Sequence, residues 1–210
     1  MQIYDFFLIL RIFARKFNLK TMDVLLKTAL AALRNGETLL YPTDTIWGIG
    51  CDATNAAAVE RIYALKKRDR SKSMLILCAD LAMVEAFVGT VSETCAGLLL
   101  HSGRPTTVIV PLREHQLADN LAAADGTLGV RIPQMAFCQQ LLHAFGKPVV
   151  STSANFSGAP SPIVYADIDD ALKARIDCCL PDDEAFRHPA TGSSRIVKIE
   201  TTGEMTVIRP

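Results

Sequence analysis

Short apolar runs separated by helical patterns constrain this chain more than any other feature. Met74–Leu77, Thr107–Val110, Leu128–Ile132, Pro148–Val150, Ile196–Ile199 and Met205–Ile208 are all of strand length. Between several of them, apolar residues recur at helical spacing, over Leu81–Val88, Glu93–Leu100, Ala136–Phe145 and Ile168–Ile176. Upstream, Leu26, Leu30 and Leu33 mark a helix over Asp23–Arg34 that Asn35-Gly36 stops, and a strand follows at Thr38–Tyr41. Asn55 caps a further helix with Val59, Ile62 and Tyr63 on its apolar face. Alternation of this kind predicts an α/β fold: one layered domain with a twisted, largely buried mixed sheet and flanking helices. The 210 residues, half of them apolar, suffice for one sizeable core. Arg113–Gly126 is the longest stretch without a pattern and reads as a mobile loop.

Charge and ligand chemistry narrow the function classes. The formal net charge is zero, so a nucleic-acid partner would have to be met by a local patch. The six cysteines form no Cys-x-x-Cys pair and mostly sit in apolar stretches, which reads as buried thiols in a reducing cytosol. The four histidines show no zinc-type spacing, and no protein-held metal is expected.

Three stretches carry polar chemistry. Leu39-Leu40-Tyr41-Pro42-Thr43-Asp44-Thr45-Ile46-Trp47-Gly48-Ile49-Gly50 opens as a strand, and Pro42 ends that strand because it cannot donate to a ladder. Two threonines around an aspartate then sit where the strand gives way to a loop. Lys66-Lys67-Arg68-Asp69-Arg70-Ser71-Lys72 holds five cations in seven residues. By itself that is either a solvated helix C-terminus or an anion site. Lys147-Pro148-Val149-Val150-Ser151-Thr152-Ser153-Ala154-Asn155-Phe156-Ser157-Gly158 runs from a strand into hydroxyls, an amide and a glycine. It reads equally as a Ser/Asn turn or an anion cradle. No Gly-x-Ser-x-Gly elbow surrounds these serines, which argues against a serine hydrolase.

The first and third stretches resemble the signatures of the YrdC-like family of threonylcarbamoyl-AMP synthases, Tyr-Pro-Thr-(Asp/Glu)-Thr-x-(aromatic)-Gly-(apolar)-Gly and Ser-Thr-Ser-Ala-Asn-x-Ser-Gly. Shorter matches are Val130-Arg131-Ile132-Pro133, Gly192-Ser193-Ser194-Arg195-Ile196-Val197 and Arg209-Pro210. The resemblance implies an ATP-dependent nucleotidyltransferase acting in tRNA modification. L-Threonine, bicarbonate and ATP would give threonylcarbamoyl-adenylate and pyrophosphate, with Mg2+ accompanying the ATP. It places L-threonine against Thr45, Arg131 and Ser194. The nucleotide falls to Lys66, Arg68, Lys72, Thr107, Ser151, Ser153, Asn155 and Arg209, with Lys66 and Arg68 as the catalytic pair. A cytoplasmic location follows, with tRNA or double-stranded RNA and downstream threonylcarbamoyl-transfer proteins as partners. Rival readings are a paralogue of the same fold with altered or lost synthase activity, and an RNA-binding module using the Lys66–Lys72 patch.

The chain departs from the family pattern in places. Asp69 stands where proline is frequent, and Arg195 where a hydroxyl is usual. His101-Ser102-Gly103-Arg104-Pro105-Thr106-Thr107 puts Arg104 where the family has glycine. Arg104 is expected to turn inward and add a cation to the phosphate site. Residues 1–21 read as an extension outside a domain of residues 22–210. Phe6–Leu10 is far short of the ~20 apolar residues of a membrane span, and its charges follow it instead of preceding it. A basic amphipathic anchor is the rival reading there, and no stable membrane association is expected.

Overall fold

The computed structural model describes residues 20–69, 74–112, 115–186, 192–199 and 204–210. A helix over residues 20–34, α1, leads through a tight turn into β1 (Leu39–Tyr41). The chain continues through β2 (Gly48–Gly50), α2 (Ala56–Lys66), β3 (Leu75–Leu77), α3 (Leu81–Val88) and α4 (Glu93–His101). Then come β4 (Thr106–Pro111), β5 (Thr127–Arg131), α5 (Ala136–Phe145), β6 (Val149–Ser153), α6 (Asp170–Lys173), β7 (Cys178–Cys179), β8 (Arg195–Ile199) and β9 (Met205–Arg209). The nine strands form one mixed sheet in the order β7-β1-β2-β6-β3-β5-β4-β8-β9. The β1/β7, β3/β5 and β4/β8 pairs are parallel and the others antiparallel.

Strand alternation decides where the core ends and the site begins. Leu40, Ile49, Ile76, Val108, Val130 and Val150 point to one face, where they pack with Val59, Ile62, Val84, Leu99 and Leu172 of the helices. Their neighbours point the other way. Near β1, that second face is covered by α1 and α5 through Ala29, Leu33, Phe137 and Leu141. Further along the sheet the same face presents Gly48, Leu75, Arg131, Ser151 and Ser153, and these line a pocket. One period-two pattern therefore gives these strands an apolar side for the core and a polar side for a ligand.

Several local expectations are borne out with physical detail. The Asn55 side chain accepts from the Ala58 N–H at 3.1 Å and starts α2. The helix ends at Lys67, the sole non-glycine residue at positive φ among the described residues. Other expectations change. Gly48–Gly50 is a strand, and Gly50 lies there because a Cβ would meet the Val150 carbonyl oxygen at 2.3 Å and the Tyr41 ring at 2.8 Å. Gly50→Ala should therefore lower stability by about 1–3 kcal/mol, since the first clash is with backbone that cannot swing aside. A urea-unfolding midpoint equal to the parent's would show that the sheet absorbs the methyl group.

The helix expected over Ile168–Ile176 shrinks to α6. Ile168, Leu172 and Ile176 are all buried at helical spacing, but the Asp169 carboxylate caps at the Ala171 N–H, so the helix starts late. In Arg113–Gly126, residues 113–114 lie outside the described residues. The remainder is anchored and not a free loop. Leu117, Ala118 and Leu121 are buried, and the Ala118 N–H donates to the Ala53 carbonyl at 2.9 Å. Four cysteines are buried as expected, while Cys178 is half-buried and Cys179 exposed on the short edge strand β7. Residues 20 and 21 are already helical, so α1 begins upstream of Met22, and Phe6–Leu10 lies outside the described residues. Among the described residues no helix is long and apolar enough to cross a membrane.

Candidate active site

The pocket on the polar face gathers side chains from widely separated parts of the chain. Thr43 and Thr45 come from the loop after β1, Arg131 from the end of β5, and Ser151 and Ser153 from β6. Ser194 and Arg209 come from the start of β8 and the end of β9. The pocket volume is about 90 Å³. A neighbouring cleft of about 240 Å³, lined by Trp47, Tyr165 and Phe186 among others, shares Thr43, Thr45 and Ile46 as a common wall.

The loop after β1 is shaped by its own side chains. The Thr43 hydroxyl donates to the Ile46 carbonyl at 2.7 Å, lies 2.9 Å from the Thr45 hydroxyl and accepts from the Thr45 N–H at 3.2 Å. Asp44 turns inward between them. Its carboxylate takes an N–H of the Arg131 guanidinium at 2.6 Å and the Gln134 backbone N–H at 3.0 Å. The two side chains are 3% and 2% exposed, so this is a desolvated ion pair that fixes the guanidinium plane. The Arg131 Nε–H has no protein acceptor among the described residues. A buried guanidinium that lines a pocket and keeps a donor without a protein acceptor suits an anionic ligand group.

On the other side, Thr107 and Ser194 share a hydroxyl–hydroxyl bond of 2.9 Å. Arg209 donates to the Ser194 carbonyl through Nε and Nη2 at 2.9 and 2.6 Å, and Nη2 reaches the Ser194 hydroxyl at 3.3 Å. The basic segment meets the site from behind. Lys66 is buried, and its amine donates to the Ser153 carbonyl and, at 2.7 Å, to the Asn155 carbonyl. Burial, and then the nearby Arg68 charge, push the Lys66 amine down to about 7. Arg68 is half-buried with its own guanidinium pushed down by burial.

The structure thus brings Thr45, Arg131, Ser151, Ser153, Ser194 and Arg209 to one pocket, with Thr107 bonded to it through Ser194. Lys66 differs from its expected place, because its amine is taken up by a turn and not turned toward open space. The Asn155 amide donates to the Phe156 and Ala159 carbonyls at 3.0 and 2.6 Å, while its Oδ1 is buried without a partner among the described residues. Lys72 lies outside the described residues. Arg104 does not turn inward. It is exposed, and its carbonyl accepts from the Ser102 and Thr106 hydroxyls at 2.6 and 3.1 Å. The glycine conformation expected at position 104 is taken one residue earlier, by Gly103 at φ 68°. Asp44 was given no role from sequence. An acid flanked by two threonines carries no local sign that its partner lies 87 residues away.

Comparison with known proteins adds three findings. The Sua5_yciO_yrdC family model, described as telomere recombination, matches residues 31–210. A threonylcarbamoyl-AMP synthase of Chromohalobacter salexigens is 37% identical over 142 residues, covering 67% of this chain and 76% of that protein. Among solved structures, Sua5 of P. abyssi complexed with L-threonine matches with a TM-score of 0.76 and 24% identity over 88% of this chain. Full-length HypF in a phosphate- and nucleotide-bound form gives 0.75 and 24% over the same share. This chain spans about half of that Sua5 chain (53%) and 28% of that HypF chain, so these two likenesses concern the fold.

Proposed function

The chain belongs to the Sua5, YciO and YrdC family, and from that premise we propose that it is a threonylcarbamoyl-AMP synthase. It is then a nucleotidyltransferase that makes L-threonylcarbamoyl-adenylate for tRNA modification. The observation that supports this most is the Asp44-anchored Arg131, whose guanidinium lines a pocket rich in hydroxyls and keeps a buried N–H without a protein acceptor among the described residues. A fixed guanidinium suits a planar carboxylate, and hydroxyls suit the hydroxyl and amine of a small amino acid.

In this reading Arg131 holds the carboxylate of L-threonine, with Thr45 and Ser194 beside it. Bicarbonate and the threonine amine give N-carboxy-threonine. Its carbamate oxygen forms a bond to the α-phosphorus of ATP, and the bond to the β-phosphate oxygen breaks to release pyrophosphate. The chain's contribution is positioning and charge stabilisation. Thr107, Ser151, Ser153 and Asn155 serve the nucleotide side, and Arg68 and Lys72 supply cations to the phosphates. Lys66 acts through the Ser153–Asn155 turn that it holds. Mg2+ would arrive with ATP and be held mainly by its phosphates.

The test is incubation with ATP, L-threonine and bicarbonate, followed by detection of pyrophosphate and the adenylate. Release should depend on both threonine and bicarbonate. Pyrophosphate release unchanged when threonine is omitted would turn the assignment toward a paralogue of different activity.

A further inference from the structure

The pocket contains two guanidiniums but one counter-charge. Arg131 is matched by Asp44 at 2.6 Å. Arg209 is held only by neutral oxygens, the carbonyl and hydroxyl of Ser194, and no carboxylate pairs with it among the described residues. Its printed bonds use Nε and Nη2 alone, and the side chain lines the pocket, so Nη1 is left to meet a ligand there. Burial, and after it the charge of Arg131, push the Arg209 guanidinium down from its ordinary value, so the two cations sense each other across the site. Arg131, Asp44 and Arg209 together therefore carry one net positive charge. Zwitterionic threonine brings no net charge to balance it. N-carboxy-threonine brings two negative groups, its own carboxylate and the new carbamate.

We propose that Arg209 holds the carbamate of N-carboxy-threonine and thereby favours its formation in the pocket before ATP is engaged. The inference rests on the synthase reading and divides the labour within it. Arg131, already neutralised, reads the amino-acid carboxylate by geometry, and Arg209 reads the added group by charge. The step balances as the threonine ammonium plus bicarbonate giving the carbamate, one water and one proton released to solvent. The nitrogen lone pair forms the new N–C bond, and one oxygen of bicarbonate leaves in the water.

The experiment is done without ATP. L-Threonine is titrated calorimetrically at fixed pH with and without bicarbonate, and the carbamate is followed by 13C NMR using labelled bicarbonate. In the parent, bicarbonate should strengthen threonine binding by about tenfold or more, the scale of one charge-assisted contact, and a bound carbamate resonance should appear. Arg209→Gln should reduce that gain to under about twofold and remove the resonance, while leaving affinity without bicarbonate within about twofold. The residue is exposed at the end of an edge strand, so an unchanged melting temperature should accompany the loss. Arg209→Lys, which keeps the charge without the fork, should retain part of the gain. A full bicarbonate gain in Arg209→Gln, or none in the parent, overturns the inference. A raised KM for ATP in Arg209→Gln with the gain intact would make Arg209 a phosphate contact instead. Absence of any threonine binding by the parent would defeat the synthase reading itself, and this inference with it.

Discussion

Asp44→Ala is expected to lower the unfolding free energy by about 3–5 kcal/mol and to abolish pyrophosphate release. The pair that it breaks is almost fully withdrawn from water, with side-chain exposures of 3% for Arg131 and 2% for Asp44. Alanine would leave a guanidinium buried without its counter-charge and the Gln134 N–H without its acceptor. Desolvation then dominates, because a buried cation cannot recover the hydration it gave up on folding. Removing both charges together distinguishes stability from function. Asp44→Ala with Arg131→Met should recover most of the lost stability, since apolar replacement of a buried ion pair is often close to neutral. It should recover none of the activity, because the guanidinium that the proposed reading sets against the amino-acid carboxylate is gone. Urea unfolding of the single and double variants measures both terms. A single-variant loss under about 1 kcal/mol, the range of an exposed pair, would mean that water reaches this carboxylate.

That pair also marks the limit of what the chain discloses before it folds. Strands and helices were legible where apolar residues repeat, as at Leu81–Val88 and Ala136–Phe145, both of which keep their bounds. Gly48–Gly50 was not, because two glycines mask the period of a strand, and only the fold shows which backbone group Gly50 admits, the Val150 carbonyl. Cys178–Cys179 is too short to carry any period. The residues that line the pocket were legible as motifs because each motif lies at the end or the start of a strand on the polar face. How they divide the work was not, since it depends on contacts between strands distant in sequence. Arg209 meets Ser194 through pairing of β8 with β9. Arg104 was misplaced for a related reason. Its motif fixes the presence of one left-handed residue in the turn, but Gly103 can adopt that conformation one position earlier.

The stability of this protein relative to its Lys66→Met variant should rise with pH between about 7 and 10. Burial holds the Lys66 amine down to about 7, whereas in the unfolded chain it titrates near 10.4. Between those values the unfolded state binds the extra proton, so raising the pH favours the folded state, by about 1.4 kcal/mol per pH unit. Below about pH 7 both states are protonated, and the cost of burying the charge is carried in full. Above the unfolded value neither state is charged, and that cost is gone. Deprotonation need not release the turn, because a neutral amine still has two N–H groups for the Ser153 and Asn155 carbonyls. The buried thiols of Cys51, Cys78 and Cys138 oppose the trend, since burial pushes each of them up and the unfolded chain ionises first. They are common to both proteins and cancel in the difference. Lys66→Met loses both bonds at every pH but has no proton to exchange. The quantity to measure is therefore the gap between the two unfolding free energies in urea at pH 7, 8 and 9. It should widen by more than about 2 kcal/mol across that range. A gap that stays constant would show that Lys66 keeps its proton in the folded protein. The amine would then be a permanent cation beneath the Ser153–Asn155 turn, and in the proposed reading its charge would be counted with that of Arg68 toward the triphosphate.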